Sequence, residues 1–208
     1  MNRYLLQDGI SHAGGFFRKN RVLIALFLTF LLSMMIGSWA IGVAPNTDCY
    51  GMESVFEQYL SSRSGQPFYM VLLSSFLAQL VLFVAAYVLG LCALGFVAAF
   101  GIIIFKGVSV GMVGGYLYLI HGLQGVGFFA LILLPGLFVS GLLLLLAAKE
   151  CFCFAVRLFR LLLTGSGIEP VRDLKLYSLR FVVLLAGVGL TAVIDAVMSA
   201  AFIGFFHF

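Results

Sequence analysis

Charge is scarce in this chain. Lysine, arginine, aspartate and glutamate make up 10% of its 208 residues, while apolar residues reach 63%; soluble domains run at about 25% charged and roughly 45–50% apolar. The balance excludes a soluble globular domain. The apolar runs fill nearly the whole length and leave no room for a separate soluble unit, so the chain reads as one integral-membrane domain over residues 1–208. Signatures of chemistry are missing too: there is no HExxH, no GxSxG, no GxxxxGK[ST] and no Cys/His cluster at metal spacing. His12, His121 and His207 fall near different span ends and read as interfacial polar residues. An intramembrane enzyme is therefore disfavoured, and no cofactor or metal is implied. Of the four cysteines, Cys49, Cys92, Cys151 and Cys153, only Cys49 falls in a loop placed outside, so no disulfide framework follows. Cys151 and Cys153 read as small apolar residues, because no second ligand pair accompanies them. The net charge of +4 does not point to nucleic acid. The basic residues stand beside apolar spans, where they report orientation and attraction to anionic lipid.

The long apolar runs are what the chain does have. Residues 1–21 carry Arg3, Arg18, Lys19 and Arg21 against Asp8, with enough apolar residues for a short amphipathic segment on the bilayer surface. Val22–Val43 then runs without a charge for about the 20 residues that a spanning helix needs. It is too long for the roughly 7–15-residue apolar core of a signal peptide, so a retained anchor is the expectation. The loop 44–67 holds Asp48, Glu53 and Glu57 against Arg63, and the basic residues before the first span place the N-terminus in the cytoplasm and this loop outside. Phe68–Ile120 suits two crossings, 68–90 and 91–120, with a break near "LGLCALG".

The alternative, a re-entrant hairpin split at Lys106, would export the basic segment 149–180; a continuous third helix keeps that segment inside. A short outer loop His121–Gly127, a fourth span 128–148 and a fifth 181–205 complete an all-α polytopic bundle of five helices, N-terminus in and C-terminus out. Past residue 148 the fourth helix is expected to continue as a surface-lying amphipathic stretch ending at Gly165, followed by a Gly/Pro-punctuated turn before the last span. Pro135 and Gly136 predict a kink within the fourth span.

Lys106, in "FGIIIFKGVSVGMVGGYL", falls near the middle of the third span and Asp195 near the middle of the fifth. Both spans run the same way, so the two charges reach similar depth. Intramembrane charges face the bundle interior and pair, which predicts a Lys106–Asp195 ion pair with Gln79 of the second span adding a hydrogen bond. The pair has two readings: a register device that locks the bundle, or part of an ion or proton pathway. The inward-facing polar candidates, Ser74, Ser75, Gln79, Ser109, Ser140 and Thr191, are few for a pathway. Gly107, Gly111 and Gly115 recur every four residues along one side of the third helix and predict close backbone packing, with Gly101 and Gly114 widening that face.

"FKGVSVGMVGGYL" followed by "ALILLPGLFVSGLLLLLAAKE" resembles the stage II sporulation protein M family of multi-pass bacterial membrane proteins. The matching positions are Phe105, Lys106, Gly107, Gly111, Gly115, Leu134 and Pro135. The layout fits over most of the chain, and the specific part runs from about Gly95 to Lys149. One departure is Gly136, where relatives often carry a polar residue after the proline. The resemblance implies a non-enzymatic scaffold in the bacterial cytoplasmic membrane, on the mother-cell side of engulfment where the host makes spores. Its implied partners are a membrane-anchored peptidoglycan amidase/endopeptidase and a lytic transglycosylase. The competing expectation is a membrane subunit of a transporter, with a cytoplasmic ATPase gripping residues 149–180.

Overall fold

The computed structural model describes residues 20–43, 68–92, 94–164 and 170–202. Five helices are long and apolar enough to cross a membrane. They are α1 (Arg21–Val43), α2 (Phe68–Gly90), α3 (Gly95–Phe128), α4 (Leu134–Thr164) and α5 (Pro170–Phe202), with a π-helical turn, Phe129–Leu133, joining α3 to α4. In hydrocarbon the backbone has no water to bond, so helices that satisfy their own N–H and C=O groups are the stable answer for such runs. The loop 44–67 and the segment 1–19 lie outside the described residues.

α1 lies at one edge and packs chiefly on α3, while α4 touches all four others and α5 packs on α2, α4 and the π turn. Leu26, Ile103, Leu144, Cys151 and Val188 are fully or almost fully buried in the larger core, which occupies the half of the bundle containing the α2–α3 turn. A smaller core of Ile41, Tyr116, Leu117 and Phe128 closes the other half.

Several boundaries differ from expectation. The break between the second and third spans falls at Leu91–Leu94, so α3 starts at Gly95. The expected loop His121–Gly127 contracts to a single non-helical residue, Gly122, at φ 55° and ψ −133°. Only glycine adopts that conformation without strain. The chain doubles back there, because Phe129 returns to lie beside Gly114, whose added Cβ would stand 3.5 Å from its ring.

The π turn ends just before Pro135, where a kink is expected. The N–H of Leu134 bonds to the carbonyl of Phe129, and Pro135, one residue on, has no N–H to sustain the α pattern.

The segment 149–180 is the largest correction. α4 does not leave the bundle after residue 148 to lie on a surface; Cys151, Phe154 and Ala155 are buried, continuing the apolar stripe of Ala147 and Ala148. The charges between them had hidden that stripe. Likewise α5 begins at Pro170 rather than 181. Proline suits the first turn of a helix, where its missing N–H would find no partner anyway, and Asp173 complements the N-terminal dipole. The Gly/Pro punctuation thus marks a start, and Tyr177 and Phe181 are buried core residues. Arg157 with Asp173, at 3.6 Å, and Arg180 with Glu150 tie the two helices together at this end.

Tyr177 closes the end of α2. The last carbonyls of a helix lack intrahelical partners; here the N–H groups of Leu91 and Cys92 turn back to Val88 and Leu89, and the Tyr177 hydroxyl donates to the Tyr87 carbonyl at 3.0 Å. Its ring is stacked between Tyr87 and Phe154, with centroids 5.3 and 4.5 Å away. Tyr177→Phe keeps the stack and removes only the cap. It is expected to destabilise the protein by about 1–3 kcal/mol, the cost of a buried carbonyl left unbonded, read as a lower unfolding midpoint in detergent; an unchanged midpoint would show that the cap contributes nothing.

Candidate functional site

A layer of polar side chains crosses the middle of the bundle. Ser75 and Gln79 stand one turn apart on α2, and Thr191 and Asp195 stand one turn apart on α5. The helices run antiparallel, so the two pairs meet as rungs. Ser75 Oγ donates to Asp195 Oδ2 at 2.6 Å. The one hydroxyl proton of Thr191 is shared between Gln79 Oε1 at 2.6 Å and its own helix's Val188 carbonyl at 2.8 Å. Ser75 and Thr191 are buried. In surroundings this dry, a hydrogen bond is stronger than in water and an unmade one costlier.

α4 closes a third side. A Cβ added at Gly136 would lie 3.2 Å from Asp195 Oδ1, so the residue after the proline is the one that abuts the carboxylate. A polar side chain at that position would press directly on Asp195. Glycine leaves the carboxylate room and lets α4 approach.

Lys106 is half-buried on α3. α3 and α5 share no packed face. The carboxylate accepts a hydrogen bond from Ser75, and Gln79 accepts one from Thr191. Of the expected Lys106–Asp195–Gln79 set, Asp195 and Gln79 enter hydrogen bonds between α2 and α5. Ser140 is buried and bonds the Leu137 carbonyl at 3.1 Å. Ser74 and Ser109, expected to point inward, do not join the layer; their hydroxyls return to the carbonyls of Val71 and Phe105.

The glycine face packs on α1. Cβ atoms added at Gly107 or Gly111 would collide with the Ser33 hydroxyl and the Met34 carbonyl oxygen, and one at Gly115 would lie 3.1 Å from Ser38. α1 answers with its own small residue, Gly37, whose added Cβ would meet the Val108 carbonyl. That complementary stripe, Ser33-x3-Gly37, was present in "SMMIG" as a small-residue spacing and went unweighed. Gly101, expected to widen the face, looks onto open space instead.

Among the described residues no group of three or more His, Cys, Asp or Glu side chains gathers as a metal site. Comparison with protein-family models, curated proteins and solved structures returns no match.

Proposed function

We propose that this chain is a non-enzymatic scaffold of the bacterial cytoplasmic membrane that gathers peptidoglycan hydrolases, in keeping with its resemblance to the stage II sporulation protein M family. The observation that carries the reading is the use made of the interior polar groups: Ser75, Asp195, Gln79 and Thr191 are joined helix to helix, and the glycines of α3 are spent on contact with α1. These are the devices of a rigid docking bundle. Its N-terminus lies in the cytoplasm, and the outer loop 44–67 receives the partners' ectodomains. Tagged protein purified in mild detergent from its own starved host is expected to bring down an amidase/endopeptidase and a lytic transglycosylase, identified by mass spectrometry. Recovery of a cytoplasmic ATPase without hydrolases overturns the scaffold.

That outcome would favour the second reading, a transporter subunit. The observation behind it is the presence of two ionisable residues, Lys106 and Asp195, within the apolar helices α3 and α5, where such residues mark ion and proton paths.

A further inference from the structure

A groove of about 210 Å³ runs between α2 and α5, lined by Leu80, Val84 and Tyr87 on one side and Ser178, Val182 and Leu185 on the other. Val84 and Val182 are exposed on its walls, so it opens toward the bilayer rather than into the bundle. It spans eight residues of each helix, about 10 Å at the helical rise. Its two ends differ. Leu80 and Leu185 make the deep end wholly apolar. At the shallow end the hydroxyls of Tyr87 and Ser178 stand 3.0 Å apart.

Two hydroxyls bonded to each other use one proton. Among the described residues neither has another acceptor, so one O–H remains to donate at the groove wall. A donor in hydrocarbon calls for an acceptor. One turn further out, Lys175 stands three residues before Ser178 and seven before Val182, on the same stripe of α5, and is exposed. Among the described residues the nearby acids are engaged elsewhere, Glu150 by Arg180 and Asp173 by Arg157. Apolar trough, hydroxyl donor and exposed cation thus succeed one another from the membrane interior to its surface, in the order of an acyl chain, an ester carbonyl and a phosphate.

We propose that this groove is a binding site for one anionic phospholipid of the cytoplasmic leaflet, its chain along Val84 and Val182, its ester carbonyl on the Tyr87–Ser178 hydroxyls and its headgroup phosphate on Lys175. Basic residues at this depth favour anionic over zwitterionic headgroups by about fivefold per residue. The test is native mass spectrometry of the whole protein titrated with phosphatidylglycerol or with phosphatidylcholine of identical chains. Wild type is expected to hold one phosphatidylglycerol about fivefold more tightly than phosphatidylcholine. Lys175→Gln should bring that ratio to about one, while Arg160→Gln, which removes an exposed cation of α4 away from the groove, should leave it at about five. Val182→Trp should fill the trough and remove both lipids from the site. Equal retention of the two lipids by wild type, a ratio unmoved by Lys175→Gln, or one that Arg160→Gln abolishes equally, overturns the assignment. So does a dimeric mass abolished by Val182→Trp, which would give the groove to a second copy. Should the tryptophan variant not fold, the two surface variants decide alone.

Discussion

Gly111→Leu is expected to separate α1 from the rest of the bundle. A side chain at this position begins on top of the Met34 carbonyl oxygen, which is backbone and cannot rotate away, so relief comes only from moving one helix off the other. Overpacking in cores costs about 1–3 kcal/mol where side chains can adjust; here none can, and the loss should exceed about 3 kcal/mol. It should appear as loss of the monodisperse detergent peak and of cross-linking between cysteines placed on facing positions of α1 and α3. The same face predicts a graded series. Gly107→Ala meets a serine hydroxyl that can rotate and the Phe30 carbonyl at 2.8 Å, and Gly115→Ala meets Ser38 at 3.1 Å, so damage should fall from 111 to 107 to 115. Gly101→Ala, with nothing within 4 Å, should be neutral or stabilise by about 0.5–1 kcal/mol through helix propensity. A Gly111→Leu protein as stable as wild type would remove the packed face from the account.

The number of spans was legible in the amino-acid sequence because hydrocarbon imposes a simple rule: about 20 apolar residues without charge make a crossing. Val22–Val43 and Phe68–Gly90 follow it almost to the residue. The glycine face was legible for a similar reason, since 107, 111 and 115 share a side of any helix. Pairing was harder. Depth along the membrane brought Lys106, Asp195 and Gln79 to one level, but depth does not say which neighbour a carboxylate faces. That depends on the rotation and register of α2 against α5, which place Ser75 opposite Asp195. The segment 149–180 was misread because its lysines, arginines, glycine and proline carry the signals of an exposed turn. Its buried residues, Cys151, Phe154, Tyr177 and Phe181, keep helical spacing beneath them. Gly136 shows the converse: its place after Pro135 is plain in the sequence, but its approach to Asp195 emerges only from packing.

The charges of the polar layer and its hydrogen bonds can be separated by substitution at Asp195. Asp195→Ala removes an acceptor of Ser75 and the carboxylate charge that shares its depth with Lys106, leaving that cation among packed helices. Losing a hydrogen bond to a charged group in a dry interior costs about 3 kcal/mol or more, and a loss of that size is expected as a fall in the folded fraction. Asp195→Asn keeps an acceptor oxygen for Ser75 and removes only the charge, so it should lose less, about 1–3 kcal/mol, the lysine easing part of the cost by reaching toward the interface. Lys106→Met with Asp195→Asn then removes the remaining charge and should return stability to within about 1 kcal/mol of wild type. A double variant no better than Asp195→Asn alone would show that the two charges are not coupled. The recovered double variant also distinguishes the two functional readings. A scaffold needs the bundle and not its charges, so it should still retrieve the hydrolases; an ion or proton path needs the ionisable groups, so a stable, partner-bound double variant without activity would assign Lys106 and Asp195 to transport.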